Sequence, residues 1–172
     1  MKTISIIREP FVLVLIGLPA SGKSTWTKAF LDEYGDRLER EVVYVSSDKH
    51  IEAIAKERGT TYSQEFANSI GHATAKMKAE ANDAIKCELN IIWDQTNLSK
   101  KKRRGILNKI PDTWQKIAVD FDVSDKVLSE RLERRAREEG KFIPPHVMEN
   151  MCKSYVAPSK DEGFEIIEKV RK

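Results

Sequence analysis

The sequence predicts an α/β fold in which a central parallel sheet of about five strands carries helices on both faces. Apolar, β-rich runs alternate with helical patterns along the whole chain. The first run, Phe11–Ile16, is apolar throughout, as is typical of a strand buried on both faces. It leads into the glycine-rich stretch Gly17–Ser24, after which a helical pattern begins. We therefore expect residues 1–172 to form a single domain with a three-layer sandwich.

The first half of the chain shows clear periodic patterns. Ile4, Ile6 and Ile7 favour a short edge strand, and the strand 11–16 is followed by a helix over 24–34. The run 42–45 predicts a second strand, and a helix over 49–58 ends at Gly59. One long helix is predicted over 61–89, because apolar residues recur at helical spacing: Phe66, Ile70, Ala73, Met77, Ala81, Ala84 and Ile85.

The second half continues the alternation. A strand over 90–94 precedes a short helix of about 99–109, which Pro111 stops. A strand over 117–123 leads to a charged helix over 124–139, which Gly140 ends. The remaining elements are an irregular segment at 142–145, a helix over 144–155, a loop over 158–163 and a last strand over 164–170.

The stretch Gly17–Ser24 fits the pattern G-x-x-x-x-G-K-[ST], which binds nucleoside triphosphates. Its glycines let backbone N–H groups turn toward phosphate oxygens, and the next helix adds its positive dipole end. We expect Lys23 to reach the β- and γ-phosphates of ATP and the Ser24 hydroxyl to hold Mg²⁺. The residues expected to contact the nucleotide here are Gly17, Pro19, Ala20, Ser21, Gly22, Lys23, Ser24 and Thr25.

Two aspartates are expected beside this loop, because the carboxyl ends of parallel strands meet at one edge of the sheet. Asp94 ends the third core strand, and we predict that it binds the metal ion through water. Asp48 follows the second strand, and we predict that it accepts the proton of an acceptor hydroxyl. The alternative for each aspartate is a cap for the next helix.

The helix over 124–139 is rich in arginine, and Arg131 and Arg135 share one face because they are four residues apart. A glycine and an irregular segment follow, so residues from about 131 to 145 are predicted to form a lid over the triphosphate. We expect Arg135 to meet the transferring phosphoryl group and Arg131 to bind the nucleotide. The alternative is a solvated face on which the arginines pair with neighbouring glutamates.

The run Lys100–Arg104 puts basic residues at the start of a helix, where the helix dipole disfavours cations. Binding of a polyanionic substrate by Lys100, Lys101 and Lys102 would explain this placement. A solvated basic face is the alternative.

Composition narrows the class of protein. The 172 residues are 40% hydrophobic and 33% charged, an ordinary globular balance, and the net charge of +3 permits a polyanionic substrate without requiring one. Cys87 and Cys152 are too far apart to indicate a zinc site or a disulfide framework. We find no signal peptide and no apolar run that could span a membrane. We therefore expect a cytoplasmic protein with no membrane partner.

Together these residues resemble the polynucleotide 5′-hydroxyl kinase family, the P-loop kinase domains of phage and animal end-healing enzymes. The likeness covers about residues 11–170. It rests on the phosphate loop with Ser24-Thr25-Trp26, on Ser47-Asp48, on Asp94-Gln95-Thr96-Asn97, on the spacing of Arg131, Arg135 and Arg137, and on Tyr155-Val156-Ala157-Pro158 with Glu162-Gly163-Phe164.

The resemblance implies a P-loop kinase fold with a helical lid, ATP and Mg²⁺ as cofactors, and a 5′-hydroxyl end of DNA or RNA as acceptor. It also implies that Asp48 is the general base, that Thr96 and Asn97 bind the acceptor, and that Ser159 contacts the base of ATP. Any phosphatase or ligase partner would be a separate protein. Two other functions stay open: a small-molecule or nucleoside kinase of the same fold, and a nucleotide-dependent ATPase switch.

Overall fold

The structure, a computed structural model, describes residues 8–171, so the strand predicted from Ile4, Ile6 and Ile7 lies outside the described residues. In chain order the elements are β1 (Phe11–Ile16), α1 (Lys23–Tyr34), a 3-10 turn (Gly35–Arg37), β2 (Val42–Val45), α2 (Ser47–Arg58), α3 (Tyr62–Lys86), β3 (Asn90–Asp94), α4 (Lys100–Leu107), β4 (Gln115–Asp122), α5 (Asp125–Glu139), α6 (Pro145–Ser154), a 3-10 turn (Lys160–Glu162) and β5 (Ile166–Arg171).

The five strands form one parallel sheet in the order β2-β3-β1-β4-β5, which confirms the predicted fold class. β1 lies at the centre, and Leu13 stands between Ile92 of β3 and Ile117 of β4 in the register. Every residue of β1 is buried, as the continuous apolar run predicts. The carboxyl ends of β1, β2 and β3 therefore open onto the same edge of the sheet.

Each face of the sheet carries its own hydrophobic layer. On one face Trp26 and Phe30 of α1 stack at 5.3 Å, and Phe121 of β4 meets Trp26 edge-on at 6.0 Å. On the other face α3 and α4 bury Met77 and Ile106 against the sheet. The arrangement is the expected three-layer sandwich.

The ends of the elements differ from the predicted ends by at most three residues, and the largest difference is at α3. This helix was expected to reach Leu89 but ends at Lys86, because Glu88 adopts a φ of 52° that a helix cannot continue. Its start is fixed by a capping box between Thr61 and Gln64. No helix within residues 8–171 has the length and apolarity needed to cross a membrane.

Candidate active site

The loop Gly17–Ser24 turns sharply between β1 and α1. The N–H of Gly17 donates to the carbonyl of Thr96 at 3.0 Å, which joins the loop to the end of β3. A Cβ atom at Gly17 would lie 2.7 Å from Ser21 Oγ and 2.9 Å from Phe121 Cβ. Only glycine therefore fits the first position of this loop without displacing its neighbours.

The start of α1 is open to an anion. The helix has no side-chain cap, Gly22 holds a φ of 101°, and the first helical hydrogen bond runs from Trp26 N–H to Gly22 at 3.0 Å. The N–H groups of Lys23, Ser24 and Thr25 consequently have no acceptor within the helix. Free N–H groups at the positive end of a helix dipole suit a phosphate group.

The side chain of Lys23 folds back over the loop. Its Nζ donates to the carbonyls of Gly17 at 3.0 Å and Leu18 at 2.9 Å. Burial lowers the pKa of Lys23, and the nearby charges of Asp94 and Asp48 oppose that shift. The ammonium group thus lies at the phosphate loop with both predicted aspartates within electrostatic range.

Asp94 and Ser24 come together around one tyrosine. The Tyr44 hydroxyl donates to Asp94 Oδ2, and the Ser24 side chain is near enough to lower the pKa of Tyr44, against the larger effect of burial. Burial and the charge of Asp94 raise the pKa of Tyr44, so its hydroxyl remains protonated and can donate. A carboxylate and a hydroxyl within reach of one group provide the oxygen ligands that Mg²⁺ prefers, so these residues fit the ion.

Asp94 is not a helix cap. α4 is capped by Ser99, whose side chain accepts from the N–H of Lys102 at 3.3 Å. Asp94 is only 8% exposed, and burial is the main reason that its pKa is raised, with Lys23 acting in the opposite direction. A buried carboxylate whose charge is poorly solvated gains from a nearby cation.

Asp48 lies in the first turn of α2, and its side chain is exposed rather than used as a cap. The hydroxyl of Tyr62, at the start of α3, donates to Asp48 Oδ1 at 2.9 Å. Burial, followed by the charge of Asp48, raises the pKa of Tyr62. Tyr62 therefore fixes one oxygen of the carboxylate and leaves the other available for a proton.

Two arginines of α5 face the phosphate loop. Arg131 Nη1 donates to the carbonyl of Ala20 at 3.3 Å. Arg135 is near enough for its charge to act on Lys23 and Asp94, and its Nε also meets Glu139 at 3.3 Å. Arg137 instead points away, with a side chain that is 75% exposed and paired with Glu138. The helix thus has one arginine face toward the site and one toward solvent.

Thr96 and Asn97, predicted to bind the acceptor, both make hydrogen bonds that support the loop. Thr96 contributes the carbonyl that accepts from Gly17. Asn97 is fully buried, and its Nδ2 donates to the carbonyl of Leu15 at 2.8 Å. The bond from Asn97 ties the ends of β1 and β3 together, and acceptor binding by Thr96 and Asn97 stays a prediction.

The basic run is divided between structural and free residues. Arg103 is fully buried in an ion pair with Glu162 at 2.7 Å, and its Nη1 also donates to the carbonyl of Leu98 at 2.8 Å. Lys100 pairs with Asp161 at 2.6 Å. Lys101 and Lys102 are exposed. The loop of residues 159–163 thus supplies the partners of Lys100 and Arg103. The argument that basic residues at a helix start indicate a polyanion applies only to the other residues of the run.

The loop after α6 is held at its other end as well. Tyr155 donates to both carboxylate oxygens of the buried Asp120, at 3.1 and 2.9 Å. The N–H of Val156 donates to the carbonyl of Leu98 at 2.9 Å. The side chain of Ser159, expected at the base of ATP, caps the 3-10 turn that follows it. These bonds fix the loop beside the end of β4.

Replacing Arg103 with Met should lower the free energy of unfolding by about 3–5 kcal/mol, because Glu162 would keep a buried charge without its partner. Urea denaturation measures this, and Arg104→Met, at an exposed neighbour, is the matched control. Adding Glu162→Leu to Arg103→Met should restore most of the loss. Equal losses in the single and double variants would show that the pair is not the cause.

Sequence reasoning missed the two tyrosines that hold the candidate carboxylates. For Tyr44 the sequence gives a weak indication, because an aromatic residue with a hydroxyl group lies near the carboxyl end of a strand, where the site is expected. Tyr62 offers none, because its approach to Asp48 depends on how α2 packs against α3. Both contacts arise from tertiary structure.

The parallel sheet, the phosphate loop and the charged groups around Lys23 define a P-loop kinase-type nucleotide-binding domain. A comparison with known families agrees. An AAA domain family model matches residues 12–158, and the chain belongs to this family.

The proteins that this chain resembles differ in kind. The L-seryl-tRNA(Sec) kinase of Methanococcus maripaludis is 24% identical over 160 residues, which are 90% of this chain and 56% of that protein. The chain therefore spans little more than half the length of this curated relative. A chain of the Pnkp1/Rnl/Hen1 RNA repair complex has a TM-score of 0.63 at 24% identity, over 88% of this chain and 45% of that one. A gluconokinase from Sinorhizobium meliloti has a TM-score of 0.55 at 16% identity, over 95% and 83%.

Proposed function

We propose that this protein is an ATP-dependent polynucleotide 5′-hydroxyl kinase that transfers the γ-phosphate of ATP to a 5′-hydroxyl end of DNA or RNA. The observation that carries the proposal is the position of Asp48. It is an exposed carboxylate with one oxygen held by Tyr62, and it lies within electrostatic range of Lys23. A base beside a phosphate loop suits an alcohol as the acceptor.

In the proposed reaction the acceptor oxygen attacks the γ-phosphorus, and its proton passes to the free oxygen of Asp48. The bond from the γ-phosphorus to the bridging oxygen breaks, and its electron pair stays on ADP. Lys23 and Arg135 stabilise the charge on the transferring group. Residues 131–145, which begin in α5, close as a lid. Ser24 and Asp94 would hold Mg²⁺, which neutralises phosphate charge when it is bound.

Three lines of support favour a nucleic acid as acceptor. The sequence resembles the polynucleotide kinase family at the phosphate loop, at Asp48 and at the lid arginines. The relatives include a kinase that acts on a tRNA-linked seryl group and a chain of an RNA repair complex. The exposed Lys101 and Lys102 offer positive charge for a phosphate backbone.

A small-molecule kinase is the second candidate, because the likeness to a gluconokinase covers 95% of this chain. Transfer of labelled γ-phosphate from ATP separates the two. The acceptors are 5′-hydroxyl oligonucleotides of DNA and RNA, a nucleoside 3′-monophosphate and gluconate, each tested across a salt series. Oligonucleotide transfer that weakens with salt supports the proposal. Equal use of the mononucleotide, without salt dependence, would leave the small-molecule kinase.

Asp48→Asn should reduce kcat by about 10² or more, the scale of general base catalysis, because an amide cannot take the acceptor proton. ATP affinity should be retained, since Asp48 receives the acceptor rather than the phosphates. Glu57→Gln, at an exposed position on the same helix, is the matched control. Lost ATP affinity with high residual turnover would instead make Asp48 part of the metal site.

A further inference from the structure

Aromatic side chains gather beside Asp48 in a way that the proposed reaction does not use. Tyr62, whose hydroxyl holds Asp48, contacts the ring of Phe66 one turn along α3, with centroids 5.7 Å apart. The backbone of Phe142 lies at the start of the same helix, because its N–H donates to Ser63 Oγ at 2.9 Å. We name Tyr62, Phe66 and Phe142 the aromatic ledge.

The ledge is open to solvent, which is costly for large apolar groups. Phe66 is 42% exposed and Phe142 is 61% exposed, and both belong to the few exposed large hydrophobic residues of the described chain. Neither ring fills the core of the domain, so packing does not explain these residues. Exposed aromatic rings next to a reactive carboxylate suit a ligand with a flat face.

Several contacts fix the segment that carries Phe142. Ser63 Oγ also donates to the carbonyl of Gly140 at 2.8 Å, and Lys141 pairs with Glu52 of α2 at 2.7 Å. Lys141 Nζ lies 5.6 Å from the centre of the Tyr62 ring. These contacts hold the end of the proposed lid against the start of α3, and so hold the backbone of Phe142 beside the helix that carries the other two rings.

An open cavity of about 630 Å³ adjoins the ledge, between α2, the start of α3 and the end of α5, and Tyr62 lines it. Such a volume accommodates a nucleoside. The charges of its wall are largely paired with one another, as Lys141 is with Glu52 and Arg137 is with Glu138. With most cations already neutralised, binding at this point depends more on stacking than on phosphate contacts.

We infer that the aromatic ledge is a stacking site for an unpaired nucleobase at the 5′ end of the acceptor strand. The inference rests on the proposed function, because it supplies the binding site for that acceptor. A base stacked on Phe66 or Phe142 places its own sugar near Tyr62 and Asp48. The 5′-hydroxyl group then lies at the base that takes its proton, and any nucleobase satisfies the site because each has a π-face.

The test compares two acceptors in three proteins. The acceptors are a single-stranded 5′-hydroxyl oligonucleotide and the same strand with an abasic first residue. The proteins are the wild type, Phe66→Leu/Phe142→Leu, which keeps apolar volume without rings, and Phe66→Trp/Phe142→Trp, which keeps the rings. Wild type and the Trp variant should prefer the intact strand by about tenfold in kcat/KM, and the Leu variant should lose most of that preference.

A second measurement separates this inference from the proposed function. A strand with 2-aminopurine as its first base reports stacking by quenching, whether or not phosphate is transferred. If wild type and the Leu variant both transfer phosphate to oligonucleotides and prefer the intact strand to the same degree, the ledge is overturned and the kinase assignment stands. If wild type and the Trp variant quench the probe, the Leu variant does not, and no protein transfers phosphate to an oligonucleotide, the ledge is supported and the kinase assignment is overturned. If wild type shows neither transfer nor quenching, both the stacking site and the kinase function are overturned.

Discussion

Lys23→Ala should reduce phosphoryl transfer by about 10³ or more, which makes it one of the two largest effects expected in this protein. The ammonium group lies at the loop, held by the carbonyls of Gly17 and Leu18, and is free to turn toward a triphosphate. An alanine leaves the charge of the β- and γ-phosphates without its nearest cation. The measurement is labelled phosphate transfer under saturating acceptor.

The same variant should remain folded. Burial lowers the pKa of Lys23, so its charged form is held less favourably in the folded protein than in the unfolded chain. The sign of this linkage means that Lys23 costs stability at neutral pH; the cost begins to fall as the pH rises past its folded pKa and is gone above the pKa of the unfolded chain, 10.5. The midpoint of thermal unfolding of Lys23→Ala should therefore equal or exceed that of the wild type.

Thermal unfolding with and without ATP completes this experiment. ATP should raise the midpoint of the wild type and of Lys28→Ala, whose lysine is exposed on the same helix. It should raise the midpoint of Lys23→Ala much less. A Lys23→Ala protein that is folded and turns over near the wild-type rate would contradict the role of this loop as the phosphate site.

The fold was predictable because its signals are local or topological. A strand that is apolar at every position, such as Phe11–Ile16, must be covered on both faces, and alternation with helices then favours a parallel sheet. The glycine-rich loop is a contiguous motif that needs no tertiary information. Parallel topology alone brings Asp48 and Asp94 to one edge of the sheet.

Roles that depend on distant partners were not predictable. Arg103 looks like its neighbours in the sequence, yet its partner Glu162 lies 59 residues away and makes it the buried member of the run. Asn97 follows a candidate metal ligand, and only the structure reveals that its amide donates to the carbonyl of Leu15. In both cases burial decides the role, and the residue type alone does not fix burial.

The roles of the arginines of α5 were predictable only in part. Helical spacing correctly predicts that Arg131 and Arg135 share a face, since both are partly buried while Arg134 and Arg137 are exposed. Spacing does not tell which face meets the phosphate loop. The hydrogen bond from Arg131 to Ala20 answers that question and separates the two arginines that face the site from those that do not.

Arg135→Ala should lower kcat by about 10³ or more with little change in ATP affinity, because a cation that meets the transferring group acts mainly in the transition state. Its charge already acts on Lys23 and Asp94, which places the guanidinium near the phosphate loop. The pair with Glu139 is partly exposed and is a minor contribution to stability. Initial rates and ATP titration on Arg135→Ala provide the measurement.

Two variants of the same helix sharpen this experiment. Arg131→Ala should weaken nucleotide binding more than it lowers kcat, because Arg131 contacts the loop at Ala20 rather than the end of the triphosphate. Arg137→Ala removes a similar charge from a side chain that is 75% exposed, and it should leave ATP affinity and kcat for a mononucleotide acceptor close to the wild type. A lid that closes over the nucleotide predicts this order of effects. Small and equal effects from all three would mean that α5 presents only a solvated, charged face, and that the transition state draws its positive charge from Lys23 and the metal ion alone.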